Sequence, residues 1–340
     1  MKRILCTILI LCLLLPLLFS CVKTPGDTGN DTGTTAGRDE TVLRVGLLSG
    51  TTGMGIAKMR KEADPRYSFV PYTAPDALLS DLAAGKVDLA TLPTNAAAKL
   101  YNKTGGKIRM LALNTLGVLH IVDRTGTIRS LADLSGKTVY VPMAGQNPEY
   151  IFRHILKMNG LEDSVTVRTD ISDADALAAA LLTDEGEYAS VQIAVLPEPK
   201  VTVTIMQAGQ KGLLCADAVD LTAEWNKVES APIPQGCLVA RKEFAEEHPG
   251  AVNEFLTSYK RSIDYMTAPE NLEAAAGLLV EFGIIPKAPI AKAALPKCSI
   301  AYLDGQEMKA SLTAFYAILA GFDPKSVGGS VPGNDFFYLP

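Results

Sequence analysis

The chain has 340 residues, with 32 Lys and Arg against 37 Asp and Glu and 48% hydrophobic residues, a balance that fits two ordinary globular domains. A net charge of −5 offers no basic surface for nucleic acid. Six cysteines in a chain of this length exclude a disulfide-built scaffold.

Lys2 and Arg3 precede an apolar run from Ile4 to Leu18. That run is shorter than the roughly 20 residues a membrane-spanning helix needs, so residues 1–20 read as an export signal. The segment Leu18-Phe19-Ser20-Cys21 resembles the lipobox of bacterial lipoproteins. The resemblance implies cleavage before Cys21, lipid on its thiol and an extracytoplasmic protein anchored to the cell membrane. Cys6 and Cys12 leave with the signal, and Cys215, Cys237 and Cys298 remain as an odd set, either buried free thiols, as expected, or one disulfide with a leftover thiol. Residues 21–40 are rich in Thr, Gly, Asp and Asn and form a flexible tether.

Ordered structure is predicted from Thr41. Val42 to Leu48 reads as a buried strand, followed by the loop Ser49-Gly50-Thr51-Thr52-Gly53 and a helix through Met54 and Met59. An internal repeat follows. Its first copy is strand Tyr67 to Val70, helix Pro75 to Gly85, strand Asp88 to Leu92 and a new helix opening at Pro93-Thr94-Asn95. Its second copy is strand Val165 to Arg168, helix Asp173 to Leu182, strand Gln192 to Leu196 and Pro197-Glu198-Pro199. Each Leu-Pro step is expected to place proline at the first helical position. Upstream of the second copy, strand Lys137 to Val141, loop Ala144 to Pro148 and helix Glu149 to Asn159 match the first strand, loop and helix.

Two similar α/β lobes with mainly parallel sheets are implied, 41–120 plus 236–340 and 121–235. Strands Met110 to Asn114 and Val118 to Val122, separated by Gly117, carry the chain across, and Gln235 to Ala240 brings it back. Helices from Phe244 onward carry apolar stripes at helical period and are expected to pack on the first lobe. A double crossover of this kind permits a hinge near Gly117 and 231–235.

This order resembles the solute-binding proteins of ABC importers with the type II periplasmic binding fold. Ser130-Leu131-Ala132-Asp133-Leu134-Ser135-Gly136-Lys137-Thr138-Val139, Leu196-Pro197-Glu198-Pro199 and the run Ala240 to Pro249 resemble the subgroup that binds sulfonates, taurine, nitrate and thiamine-like pyrimidines. The resemblance implies capture of a small polar or heteroaromatic molecule between the lobes and delivery to a permease and its ATPase. A monomer is expected.

In parallel sheets ligands sit beyond the carboxyl ends of the strands. Ser49, Gly50, Thr51, Thr52 and Gly53 offer N–H groups and hydroxyls there, suited to an anion or a polar carbonyl. Thr94, Asn95, Asn114, Gln146 and Asn147 fall at equivalent loop positions and serve either as ligand contacts or as caps. Glu149 and Glu198 either complement helix dipoles or face a cationic group, and no Arg or Lys occupies these loops. Trp225 either stacks at the cleft edge or packs in the core.

Catalytic constellations are missing. His120, His154 and His248 lack metal-ligand spacing, no G-x-S-x-G occurs and no cysteine sits in a nucleophile motif. A pyrimidine synthase shares the fold, but its cysteine-rich cluster and cofactor-bearing lysine have no counterpart here. A binding protein without cofactor or metal is expected. The alternatives are a catalytic relative of that synthase and a partner-binding protein whose cleft is filled by its own side chains.

Overall fold

The computed structural model describes residues 41–186 and 188–339; the segments predicted as export signal and tether, with Cys21, lie outside them. β1 (Leu43–Leu48) is buried at every position except Arg44. A 3-10 turn over Thr51–Gly53 and α1 (Ala57–Glu62) lead to β2 (Tyr67–Tyr72), parallel to β1. α2 (Pro75–Ala83) returns the chain to β3 (Leu89–Pro93), parallel to β1 on its other side. α3 (Thr94–Thr104) stops at Gly105, a left-handed cap, and β4 (Ile108–Thr115) follows.

The chain then enters a second sheet as β5 (Leu119–Asp123). β6 (Thr138–Tyr140), α4 (Asn147–Met158), β7 (Thr166–Arg168), α5 (Ala174–Ala180), β8 (Ile193–Pro197) and α6 (Lys200–Gln210) continue it. β9 (Ala216–Asp220) and α7 (Leu221–Trp225) close this lobe, and β10 (Gly236–Arg241) returns to the first sheet. α8 (Lys242–Glu247), α9 (Pro249–Thr267), α10 (Leu272–Glu281), α11 (Ala288–Ala294), β11 (Ile300–Leu303) and α12 (Gly305–Phe322) complete the molecule.

The sheets run β11-β4-β10-β3-β1-β2 and β7-β6-β8-β5-β9. Both are mixed rather than mainly parallel, and the crossing strands are the main reason. β5 inserts antiparallel between β8 and β9, and β10 inserts antiparallel between β3 and β4. A short connection between lobes delivers the strand at the end of the sheet the previous strand has just left, so no helical crossover aligns it in parallel.

The two insertions are equivalent in register. Pro93 at the end of β3 sits opposite Gly236, and Pro197 at the end of β8 sits opposite Leu119. One residue further on, the Thr94 N–H donates to Gln235 O (3.1 Å) and the Glu198 N–H donates to Val118 O (2.8 Å). These prolines therefore belong to strand ends and not to the first position of a helix. Pro93 is extended and caps α3, whereas α6 begins only after Pro199.

The C-terminal helices touch both lobes, not the first alone. On α9, Phe255, Tyr259 and Ile263 bury against Val45, Leu47 and Met59, and Ser262 Oγ donates to Gly55 O at 2.6 Å. α11 packs on α6 of the second lobe. On α12, Tyr316 donates its hydroxyl to Thr94 O (2.8 Å), while the adjacent Phe315 turns to Trp225 with ring centroids 6.0 Å apart. Successive helical residues point about 100° apart, so one helix serves both lobes. Cys237 and Cys298 are buried, Cys215 is half-buried, and all three are free. Among the described residues no helix is long and apolar enough to cross a membrane.

Candidate functional site

The matched ladder ends place Thr94 and Glu198 at equivalent points, each just beyond the carboxyl end of a strand. Between the lobes lies a cavity of about 1260 Å³. Its wall includes Ser49, Gly50, Thr51 and Thr52 from the first turn, Asn95 from α3, Gln146 and Asn147 at the start of α4, and Glu198. Gly53, Thr94, Asn114 and Glu149 are not on that wall.

The first turn owes its shape to two glycines. Gly50 holds φ 101°, a conformation that favours glycine, and a Cβ on Gly53 would stand 2.6 Å from Leu48 O. Asn114 lies behind the turn and donates from Nδ2 to Thr52 O at 3.2 Å, supporting the loop from the protein side. Thr94 is likewise turned inward, its hydroxyl donating to Pro234 O at 2.6 Å.

Four of the sequence-selected residues meet one another across the cleft. Asn95 Nδ2 donates to Gln146 Oε1 at 2.6 Å, and Asn147 Nδ2 donates to Thr94 Oγ1 at 3.2 Å. Both bonds join α3 of the first lobe to the start of α4 of the second. The amino ends of α3 and α4 thus converge, and their N–H groups carry the positive ends of two helix dipoles toward the same space.

The two glutamates differ. Glu149 accepts from the Gly145 N–H (2.8 Å) and from Arg153 Nε (2.8 Å), which spends its carboxylate on capping α4 and on an ion pair one turn away. The Glu198 side chain is wholly buried, with Oε1 accepting from Thr202 Oγ1 (2.8 Å) and Oε2 from the Thr202 N–H (3.2 Å). Burial raises its pKa and the Thr202 bonds only partly offset this. Behind it, Lys297 Nζ lies 4.0 Å from Glu198 and 3.5 Å from Asp217, and Asp217 pairs with His120 Nδ1 at 3.0 Å. Among the described residues no three His, Cys, Asp or Glu side chains cluster as metal ligands.

Sequence reasoning missed the lysines. Lys99, Lys103 and Lys200 line the cavity from helices rather than from the loops at the strand ends. Asn95, Lys99 and Lys103 follow at i, i+4 and i+8, so the helical period of α3 puts all three on one face, and that spacing was the available signal. Lys200 pairs with Asp175. Trp225 is 1% exposed and belongs to the core, with Nε1 donating to Ala231 O at 2.8 Å.

Residues 55–290 match the family described as the periplasmic phosphonate substrate-binding protein of ABC transporters. The chain belongs to this family. Its members are the extracytoplasmic solute-binding components of ABC importers, and that is the role of this chain. A binding protein of Brucella abortus (strain 2308) is 24% identical over 262 residues, 74% of each chain. The crystal structure of an ABC transporter protein from Parabacteroides distasonis superposes with a TM-score of 0.73 at 23% identity, covering 88% of this chain and 99% of that one. The periplasmic aliphatic sulphonate binding protein SsuA of Escherichia coli does so with a TM-score of 0.67 at 17% identity, covering 87% and 96%. The two-lobed fold is thus that of the binding family.

Proposed function

We propose that the cleft captures a small organic acid without turning it over, and that the lobes close about it by pivoting at Gly117 and at 231–235. The observation that carries this reading is the convergence of α3 and α4, whose first-turn residues already hydrogen bond from one lobe to the other. An oxyanion there would meet the N–H groups of two helices and the Thr51 hydroxyl, each helix end contributing roughly 0.3–1 kcal/mol.

Charge supports an acid over an amine. Glu149 is occupied by Gly145 and Arg153, and Glu198 by Thr202, whereas Lys99 faces the cavity with no carboxylate in ion-pair contact among the described residues. The raised pKa of Glu198 also lets it take a proton more readily than a surface glutamate, which eases an acidic neighbour. The phosphonate description of the family and the sulphonate of the Escherichia coli neighbour are both oxyacids.

The remainder of the reading rests on the sequence. Lipid on Cys21 and the tether 21–40 would hold a monomer at the membrane, within reach of its permease and ATPase. Cys21→Ser is then expected to move the protein from the membrane fraction to the soluble one. The cleft reading is tested by mass spectrometry of solutes that co-purify and by calorimetry with alkylphosphonates, alkylsulphonates and alkylamines. Binding of the acids with compaction in X-ray scattering is expected. Binding of amines alone would overturn it.

A further inference from the structure

Resting on the acid-head reading of the cleft, we propose that the ligand carries a second anionic group, seated on Lys99 and Lys103 in an outer limb of the same cavity. The volume of about 1260 Å³ exceeds the roughly 300–1,000 Å³ that suffices for drug-sized ligands, and is far more than a single oxyanion fills. Leu79 and Ala83 of α2 and Leu100 of α3 also line the cavity and form its apolar trough.

The two lysines stand one helical turn apart on the α3 side of that trough. Lys99 is half-buried, and its Nζ has one neutral contact, Gln146 Oε1 at 3.5 Å, an oxygen already receiving the Asn95 amide. No carboxylate makes an ion pair with Lys99 or Lys103 among the described residues. Burial lowers the pKa of Lys99, and only the more distant charge of Asp323 acts the other way. Like charges at i, i+4 repel, and an anion between them converts that repulsion into two favourable contacts. Among the described residues, Asp76 in the first turn of α2 also lines the cavity, and like Lys103 it is exposed.

The helix supplies a ruler. From Asn95 at the head to Lys103 is eight residues, a rise of about 12 Å, with Lys99 at about half that distance. The ligand class is therefore an elongated diacid whose ends are separated by an apolar chain of about that reach, and not a compact oxyanion.

The test is calorimetry on the full chain with ω-carboxyalkylphosphonates of short, intermediate and long chain, each compared with the n-alkylphosphonate of matched length. At the intermediate or long length the diacid should bind about tenfold more tightly, equivalent to about 1.4 kcal/mol. Lys103→Gln and Lys99→Gln should each bring that ratio toward unity while melting at the wild-type temperature. Equal affinity for diacid and monoacid at every length in the wild type would overturn the second-acid inference and leave the cleft reading standing. Failure of every acid to bind would remove both.

Discussion

Asn95 on α3 and Gln146 at the head of α4 share a 2.6 Å hydrogen bond that joins one lobe to the other. Gln146 Oε1 also faces the Lys99 ammonium, so one amide oxygen gathers two donors from the first lobe. A net hydrogen bond is worth about 0.5–1.5 kcal/mol, a shift of about two- to tenfold in an open-to-closed equilibrium. Gln146→Ala should therefore enlarge the radius of gyration of the ligand-free protein in X-ray scattering. An unchanged profile would mean that closure is held elsewhere.

The order of strands and helices was legible because burial and period agree along most of the chain. β1 is nearly all buried apolar residues, and α4 alternates a buried face of Tyr150, Ile151, Ile155 with half-buried Arg153 and exposed Lys157. Strand direction was not legible, since the antiparallel insertion of β5 and β10 follows from where a crossing strand enters a sheet. β9 escaped notice because Ala216 to Asp220 has only one fully buried position and an acidic sequence. In the site, the cross-cleft amides were legible from their loop positions. The lysines were not, because a residue one or two turns inside a helix reaches the cavity only through the helical period. Nor could sequence decide that Glu149 turns back to Gly145, a choice made by the left-handed Gly145 that brings its N–H within reach.

Stability should depend on pH through the His120–Asp217 pair. Burial pushes the His120 pKa down, but the bond and charge of Asp217, with Asp220 and Glu198 beyond, outweigh it and leave the pKa raised. Burial pushes Asp217 up, and His120 with Lys297 brings it below its ordinary value. A raised histidine stabilises the fold fully below its unfolded pKa and loses that contribution as pH rises through its folded value. A lowered aspartate does so above its unfolded pKa and loses it as pH falls. The pair therefore stabilises most between about pH 4 and 6.5. The melting-temperature gap between wild type and His120→Gln should be widest there and should narrow toward alkaline pH; a gap independent of pH would refute the pairing.

Asp88 binds the opposite end of the first lobe. Its carboxylate, 1% exposed, accepts from Arg44 Nε (2.8 Å), Arg44 Nη2 (2.6 Å), the Arg44 N–H (3.0 Å) and Arg241 Nη2 (3.1 Å), joining β1, β3 and β10. Burial raises its pKa, and these bonds more than reverse the effect. Asp88→Asn keeps the volume but removes the charge that the arginines hold. A loss of about 1.5–3 kcal/mol is expected in urea denaturation with an unchanged m-value. A variant as stable as wild type would show that the two arginines contribute nothing here.

Trp225 is the only tryptophan and stands where three elements meet. Its ring lies 6.0 Å from Phe315 of α12 and 5.0 Å from His154 of α4, and its N–H holds Ala231 O, the start of the connector that leads back to β10. Trp225→Ala leaves a cavity in the core and should cost about 3–5 kcal/mol. Trp225→Phe keeps most of the packing and gives up the Ala231 bond, a loss of about 1 kcal/mol. Because the ring touches α12 and the connector at once, movement of the lobes must change its surroundings. Intrinsic fluorescence of the wild type should therefore shift on titration with an alkylphosphonate, at the concentration where calorimetry reports binding. A calorimetric isotherm accompanied by a flat fluorescence trace would place the pivot away from 231–235.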